Sequence, residues 1–165
     1  MNNSLLWVDL GLKRTLIGLM AAIVLVVCWQ VLSRFVLGAP SSMTEEIARC
    51  LLLWIGMLGA AFAYRTGQHL GLDIVTRKLP SHWQHRLAML LTAAVVLFAL
   101  AVMVGGGGQL VLLTYQLDQM SAALGVRISW IYLVLPLSGI LIAFYGCCQL
   151  VCLWQHRTLL AVEDC

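Results

Sequence analysis

Charge is the scarcest commodity in this chain. Asp, Glu, Lys and Arg make up 10% of its 165 residues, against 62% hydrophobic residues and a mean hydropathy of +0.95. An ordinary soluble domain carries roughly a quarter charged residues. Too little polar surface is left here for a water-soluble enzyme or for a disordered tail. The net charge of +3 is too weak and too scattered for a nucleic-acid partner. Alternating segments of the kind that build membrane barrels are absent as well, which leaves an all-α integral membrane protein.

The long uncharged runs also lack working chemistry. None has an Asp, Glu, Lys, Arg or His near its midpoint, where an ion-coupled transporter or a small exporter normally keeps one. All four histidines, His69, His82, His85 and His156, fall outside these runs, so no haem ligand stands within a helix. The six cysteines form no framework and no CxxC pair. Cys28, Cys50, Cys147, Cys148 and Cys152 sit in or beside apolar runs and Cys165 is near the C-terminus, so no disulfide is expected. Cys148 and Cys152 share a helix face at i, i+4, a spacing that reads as packing. No catalytic residue, cofactor or metal ligand is predicted, and the chain reads as a subunit of something larger.

What is present is four apolar stretches. Residues 15–33, 50–64, 87–117 and 128–155 carry no charge, and about 20 apolar residues cross a hydrocarbon core ~30 Å thick. They predict one membrane domain, a four-helix bundle with spans at about 15–37, 46–64, 87–117 and 128–154, and an interfacial connection at 65–86. The third run is too long for one straight crossing, so it must tilt, protrude or break. The first exceeds the ~7–15 residues of a signal-peptide core and lacks a small-residue cleavage site, so it is expected to be retained. Lys13, Arg14, Arg65, Arg77, Lys78, Arg86 and Arg157 fall on one side of the membrane and Arg34, Arg49 and Arg127 on the other. That bias places both termini in the cytoplasm, with Trp7, Trp83, Trp130 and Trp154 near span ends.

Small residues suggest where helices touch. Gly56, Ala60 and Ala63 form a stripe on the second helix and Gly139, Ala143 and Gly146 repeat it on the fourth, as close packing in lipid requires. Four consecutive glycines at 105–108 interrupt the third run. A transport site built from a broken helix is one reading of them. Such sites come from paired interrupted helices and no second one exists, so a close-packing or bending point is favoured.

The second helix holds the densest pattern. Ser42 and Glu45 have capping-box spacing, and Glu45 and Arg49 stand at i, i+4 in the favourable order. Together with Arg34 at the end of helix one, Glu45, Glu46 and Arg49 are expected to tie the outer end of helix two to its neighbours. The competing reading is a cap and an interfacial ion pair worth no more than about 1 kcal/mol. Beyond the span, Arg65, His69 and Asp73 share one face if the turn is helical. They suggest a strut orienting helix three, with a basic loop retained for topology as the alternative. Leu70, Ile74, Arg77 and Lys78 suit contact with membrane lipids.

The set Glu45, Glu46, Arg49, Trp54, Gly59-Ala60-Ala61, Arg65, Gly67, His69 and Asp73, preceded by Arg34-Phe35, resembles the signature of the small, DctQ-like subunit of tripartite ATP-independent periplasmic (TRAP) transporters. Cys50 stands where an aromatic often follows the helix-two Arg in that family, and the glycine run is not one of its motifs. The resemblance implies a large multi-span permease carrying the sodium and substrate sites, and a periplasmic binding protein delivering an organic acid: a dicarboxylate, sialic acid, sugar acid or keto acid. It implies that this chain scaffolds the permease in the bacterial inner membrane, helps form the docking surface and has no transport site of its own. Arg34, Glu45, Glu46, Arg49, Trp54, Arg65, His69 and Asp73 would then be structural or partner-binding residues. Two other readings stay open: a membrane anchor of a quinone-linked redox enzyme, and a self-sufficient small exporter.

Overall fold

The computed structural model describes the backbone of residues 2–36, 38, 41–66 and 81–154, and side chains from 7 to 151 within those stretches except 81–86. It is all-helical. In chain order the elements are α1 (Asn2–Phe35), α2 (Ser42–Arg65), α3 (Ser81–Phe98), a π-helical stretch (Ala99–Gly106), α4 (Gly107–Gln116), α5 (Ile128–Tyr132) and α6 (Val134–Trp154). Among the described residues, four helical segments are long and apolar enough to cross a membrane: Trp7–Phe35, Ser42–Arg65, Leu87–Gln116 and Ile128–Val151.

Local chemistry explains most of the ends. Gly38, at φ +66°, follows α1 in the left-handed conformation that glycine adopts without strain, with Pro40 two residues further in sequence to discourage helix. The α2 N-cap is Ser41, with no side-chain cap, rather than Ser42 as the capping-box spacing predicts. Instead the Thr44 hydroxyl donates to the Ser41 carbonyl at 2.9 Å, which shifts the helix start by one residue and leaves Glu45 outside the box. At the other end Thr66 donates from its hydroxyl to the carbonyls of Phe62 and Ala63, at 3.1 and 3.2 Å, and its N–H donates to the Phe62 carbonyl as well, at 3.0 Å, so one residue closes the last turn. Between α5 and α6 the chain turns at Leu133. Pro136 cannot donate to the Tyr132 carbonyl and its ring would crowd it, so the helix restarts with the proline in its first turn.

The third crossing does not break at its glycines. α3, the π-helical stretch and α4 follow one another without a gap, and the junction residues Phe98, Gly106 and Gly107 all keep right-handed helical angles. Thr92, Val96, Ala99 and Gly107 on this rod are buried, as is Thr114. A four-residue step overshoots a full α-turn by ~40°, whereas a π-turn, with its i→i+5 bonding, holds more than four residues. The π-helical stretch thus offsets the drift that the steps 99, 103, 107 and 111 would otherwise accumulate. Of the four glycines Gly107 is the one that meets another helix, since a Cβ on Gly105 would meet the Leu100 carbonyl of its own helix, at 3.6 Å. A Cβ on Gly107 would lie 3.0 Å from Leu135 and 3.3 Å from Pro136, while Gly106 and Gly108 face open space.

α6 is the hub. It packs against α2 on one side and against α3 and the π-helical stretch on the other, while α1 makes its extensive contact with α2. The small stripe on α6 is a true contact face. A Cβ on Gly139 would sit 2.7 Å from Met103 Cβ and 3.2 Å from the Ala99 carbonyl, and one on Gly146 would overlap Val96. Ala143 is buried between them. The corresponding stripe on α2 is not one: Gly56 and Ala60 are exposed and nothing lies within 4 Å of a Cβ on Gly56. There the buried residues are Leu58 and Ala61, a face rotated from the small residues. Two apolar clusters result. Leu12, Leu58, Val134 and Tyr145 form one, with Trp54 against it; Ala61, Ala99, Ile142 and Ala143 form the other.

Overpacking at a tight contact costs about 1–3 kcal/mol, whereas replacing an exposed helical glycine removes a helix penalty of about 1 kcal/mol. Gly139→Leu should therefore lower the midpoint of thermal unfolding of the purified chain in detergent, and Gly56→Leu should leave it unchanged or raise it. Equal losses for both would contradict the close approach at Gly139.

Candidate functional site

The polar side chains that reach across the fold gather at its two ends. At the end of α2 that begins with Ser42, Glu46 turns away from its own helix. Its Oε2 accepts the backbone N–H groups of Ala123 and Leu124, at 2.9 and 3.2 Å. A carboxylate holding two amide donors makes charge-assisted bonds, stronger than neutral ones. Those amides belong to the loop 117–127 between α4 and α5, which is held together from within as well. Met120 and Arg127 form an antiparallel bridge, Ser121 N–H donates to the Val126 carbonyl at 2.8 Å, and Ile128 N–H donates to the Gln119 carbonyl at 3.0 Å. Arg127 pairs with Asp118 at 3.1 Å and lies over the Tyr115 ring, 5.2 Å from its centroid.

At the other end, Asp9, Arg65 and Tyr145 join three helices. Arg65 Nε lies 3.3 Å from Asp9 Oδ2, and the Tyr145 hydroxyl donates to Asp9 Oδ1 at 2.7 Å. The Arg65 guanidinium also stands over the Tyr145 ring, 5.9 Å from its centroid, within the reach of a cation–π contact. α1 extends well before its apolar run, and that extension carries Asp9 to its partners. The Asp9 and Arg65 side chains are 24% and 22% exposed, so this pair is far less open to solvent than an ordinary surface bridge.

The residues singled out from sequence fall in different places. Among the described ones, Glu46 and Arg65 make the polar contacts between separate elements. Glu45 and Arg49 pair with each other along α2 at 3.2 Å, with side chains 64% and 77% exposed. Arg34 is exposed and makes no ion pair among the described residues. Trp54 is half-buried against the Leu12, Leu58, Val134 and Tyr145 cluster. His69, Asp73 and the connection around them lie outside the described residues.

Sequence reading missed Asp9, Tyr145 and the loop amides. Asp9 is the one acidic residue before the first apolar run, a signal that was available. Tyr145 sits inside an uncharged run, where its hydroxyl needs a partner in lipid, and that too was a usable hint. The Glu46 contact lies 77 and 78 residues away in sequence and is made to backbone, so no spacing reports it.

Comparison with known proteins gives a consistent picture. A family profile described as "Tripartite ATP-independent periplasmic transporters, DctQ component" matches residues 23–156. The chain is 32% identical over 133 residues to the sialic acid TRAP transporter small permease protein SiaQ of Vibrio cholerae, covering 78% of this chain and 72% of that protein. It is 28% identical over 100 residues to the C4-dicarboxylate TRAP transporter small permease protein DctQ of Rhodobacter capsulatus, covering 61% of this chain and 44% of that one. A third similarity, 28% over 139 residues, is to the isethionate TRAP transporter permease protein DctMQ of Oleidesulfovibrio alaskensis. It covers 80% of this chain but 22% of the relative.

An exposed i, i+4 ion pair is worth about 0.3–0.5 kcal/mol, while contacting groups in one network couple by about 0.5–3 kcal/mol. Asp9→Asn and Tyr145→Phe, separately and together, should show such coupling in detergent unfolding. Arg65→Gln should cost more than Arg49→Gln. Additive effects of the Asp9 and Tyr145 changes would mean that the hydroxyl and the carboxylate do not act as a pair.

Proposed function

The chain belongs to the DctQ-component family of the tripartite ATP-independent periplasmic transporters, and on that premise we propose that it scaffolds a large permease for sodium-coupled import of a small organic anion. It is a transporter component, not an enzyme, and its place is the inner membrane. The other two parts of the system are the large permease and a periplasmic binding protein.

The observation that carries the scaffold role is where the polar contacts lie. Glu46 and the group Asp9, Arg65 and Tyr145 fasten helix to helix and helix to loop near the ends of the crossings. The sides of the helices are apolar, with Ile17, Val24, Leu25, Leu97 and Ile140 all exposed. A fold braced at its ends with apolar flanks suits a body that another membrane protein leans on. The Oleidesulfovibrio relative supports contact with the permease. There the matching region is a minor part of a much longer polypeptide named a permease, so small and large parts are neighbours by covalent linkage.

The substrate class rests on the relatives' names. Sialic acid, a C4-dicarboxylate and isethionate are all small organic anions at neutral pH. No Asp, Glu, Lys, Arg or His stands near the midpoint of any crossing of this chain, so sodium coupling and substrate selection belong to the permease. Both termini lie in the cytoplasm, in keeping with the Lys and Arg bias. Arg34, Glu45, Glu46, Arg49, Trp54, Arg65, His69 and Asp73 hold this subunit's shape or meet its partners.

The test is reconstitution. Proteoliposomes with this chain alone should take up none of these anions. Adding the large permease, the loaded binding protein and an inward sodium gradient should produce uptake of the anion the binding protein carries. Uptake by the chain alone overturns the scaffold role, and uptake that survives collapse of the sodium gradient overturns the coupling.

A further inference from the structure

Both carboxylate oxygens of Asp9 are engaged, and that leaves its own helix with charge to spare. Oδ1 accepts the Tyr145 hydroxyl and Oδ2 faces Arg65. Lys13 follows at i+4, the spacing at which an acidic and a basic residue ordinarily pair along a helix, and Arg14 comes next. Neither forms an ion pair among the described residues, and both are exposed. They stand directly before Thr15, where the uncharged run begins. Arg14 lies about 7.5 Å further along α1 than Asp9, at the rise of an α-helix. Two cations without a counter-charge are thus held at the edge of the hydrocarbon.

The helix around them leaves room for an anion. Side chains on an α-helix lean toward its N-terminus, over the residues three and four before them. For Arg14 those residues are Gly11 and Leu10. Gly11 is exposed and nothing lies within 4 Å of a Cβ built on it, so a notch one side chain wide opens beneath the guanidinium. Trp7, 73% exposed, stands two turns before Arg14 on the same face, at the level interfacial tryptophans favour. Beyond Arg14 that face continues as Gly18 and Ala21, both exposed, with nothing within 4 Å of a Cβ on Gly18. Arg34, at the far end of the same crossing, has the reverse setting. An arginine there leans back toward Val31, itself exposed, and so into the membrane rather than out of it.

We infer that Arg14, with Lys13 beside it, binds the phosphate of an anionic phospholipid, which settles over Gly11 with an acyl chain along Gly18 and Ala21. Charge complementarity selects this occupant. Basic side chains at the membrane surface attract anionic headgroups, and the guanidinium fork matches phosphate oxygens. The notch lets the phosphate approach the helix, and the small residues deeper in let a chain lie flat against it. An acidic side chain of the permease is the other anion that could reach the pair, and water alone could hydrate it. The experiment separates the three.

The full chain in detergent is titrated with dioleoylphosphatidylglycerol, and separately with dioleoylphosphatidylcholine, which has the same chains on a headgroup without net charge. Native mass spectrometry counts the lipids retained. The chain should keep phosphatidylglycerol at a lower concentration than phosphatidylcholine. Arg14→Gln should raise the phosphatidylglycerol concentration for half-occupancy about five-fold, the effect of ~1 kcal/mol. Arg14→Lys should raise it less, and Arg34→Gln should leave it unchanged. Gly11→Leu fills the notch and should weaken retention while the thermal unfolding midpoint holds or rises, a combination that a folding defect does not produce. Equal retention of the two lipids, or variants at 11 and 14 that bind like the parent, overturns the inference in favour of hydration. Displacement of the lipid by inorganic phosphate overturns its identity as a lipid site. The complex with the large permease, taken through the same titration, should show the same dependence on Arg14. Loss of that dependence, together with poorer permease recovery for Arg14→Gln, assigns the charge to the permease and overturns the inference as well.

Discussion

Hydrocarbon offers no hydrogen bonds, and that single constraint shapes the molecule. Every backbone donor and acceptor in the crossings must find its partner within the helix, and each hydroxyl must do the same. Thr114 donates to the carbonyls of Leu110 and Val111 at 2.8 and 3.0 Å, and Ser138, fully buried, donates to that of Leu135 at 3.0 Å. Groups that cannot be satisfied in this way stand where water or a second element is near. The Tyr145 hydroxyl bonds to Asp9, while Glu46 takes its donors from the loop.

With the hydrophobic effect absent between helices in lipid, close packing holds them together. This is why α6, with glycine at 139 and 146 and alanine at 143, is the helix against which α2, α3 and the π-helical stretch all rest. α1 has no comparable seam. Leucines 12, 16 and 19 pack it onto the rest of the fold, and the Asp9 contacts fasten its beginning, while Val24, Leu25 and Trp29 further along face outward.

The four long apolar helices were legible because uncharged runs of this length have few other structures open to them. The α6 stripe was legible for the same reason, as three small residues on one face of an apolar helix. The α2 stripe looked equivalent and is not, because composition reveals which face is narrow and not which face a neighbour occupies. Leu58 and Ala61 are inward there, and Gly56 outward. The polar contacts were half legible. Glu46 and Arg65 were marked by their place in a motif, but their partners are a backbone segment and an aspartate far off in sequence, and such pairings exist only once the helices are docked. The glycine run illustrates a different limit. Glycine permits a break without compelling one, and packing against Leu135 and Pro136 keeps the rod whole.

The π-helical stretch Ala99–Gly106 has an evolutionary consequence. Widened turns of this kind accommodate a residue more than a regular α-helix would in the same rise, and the helix resumes on either side with its faces kept. Here the flanking faces are anchored, at Thr92 and Val96 before it and at Gly107 and Thr114 after it. The stretch therefore acts as an indel buffer. A descendant that lost one residue between 99 and 106 would tighten these turns toward an α-helix and still present both anchored halves to α6, so chain length can change inside a membrane crossing without the usual rotation of everything beyond it.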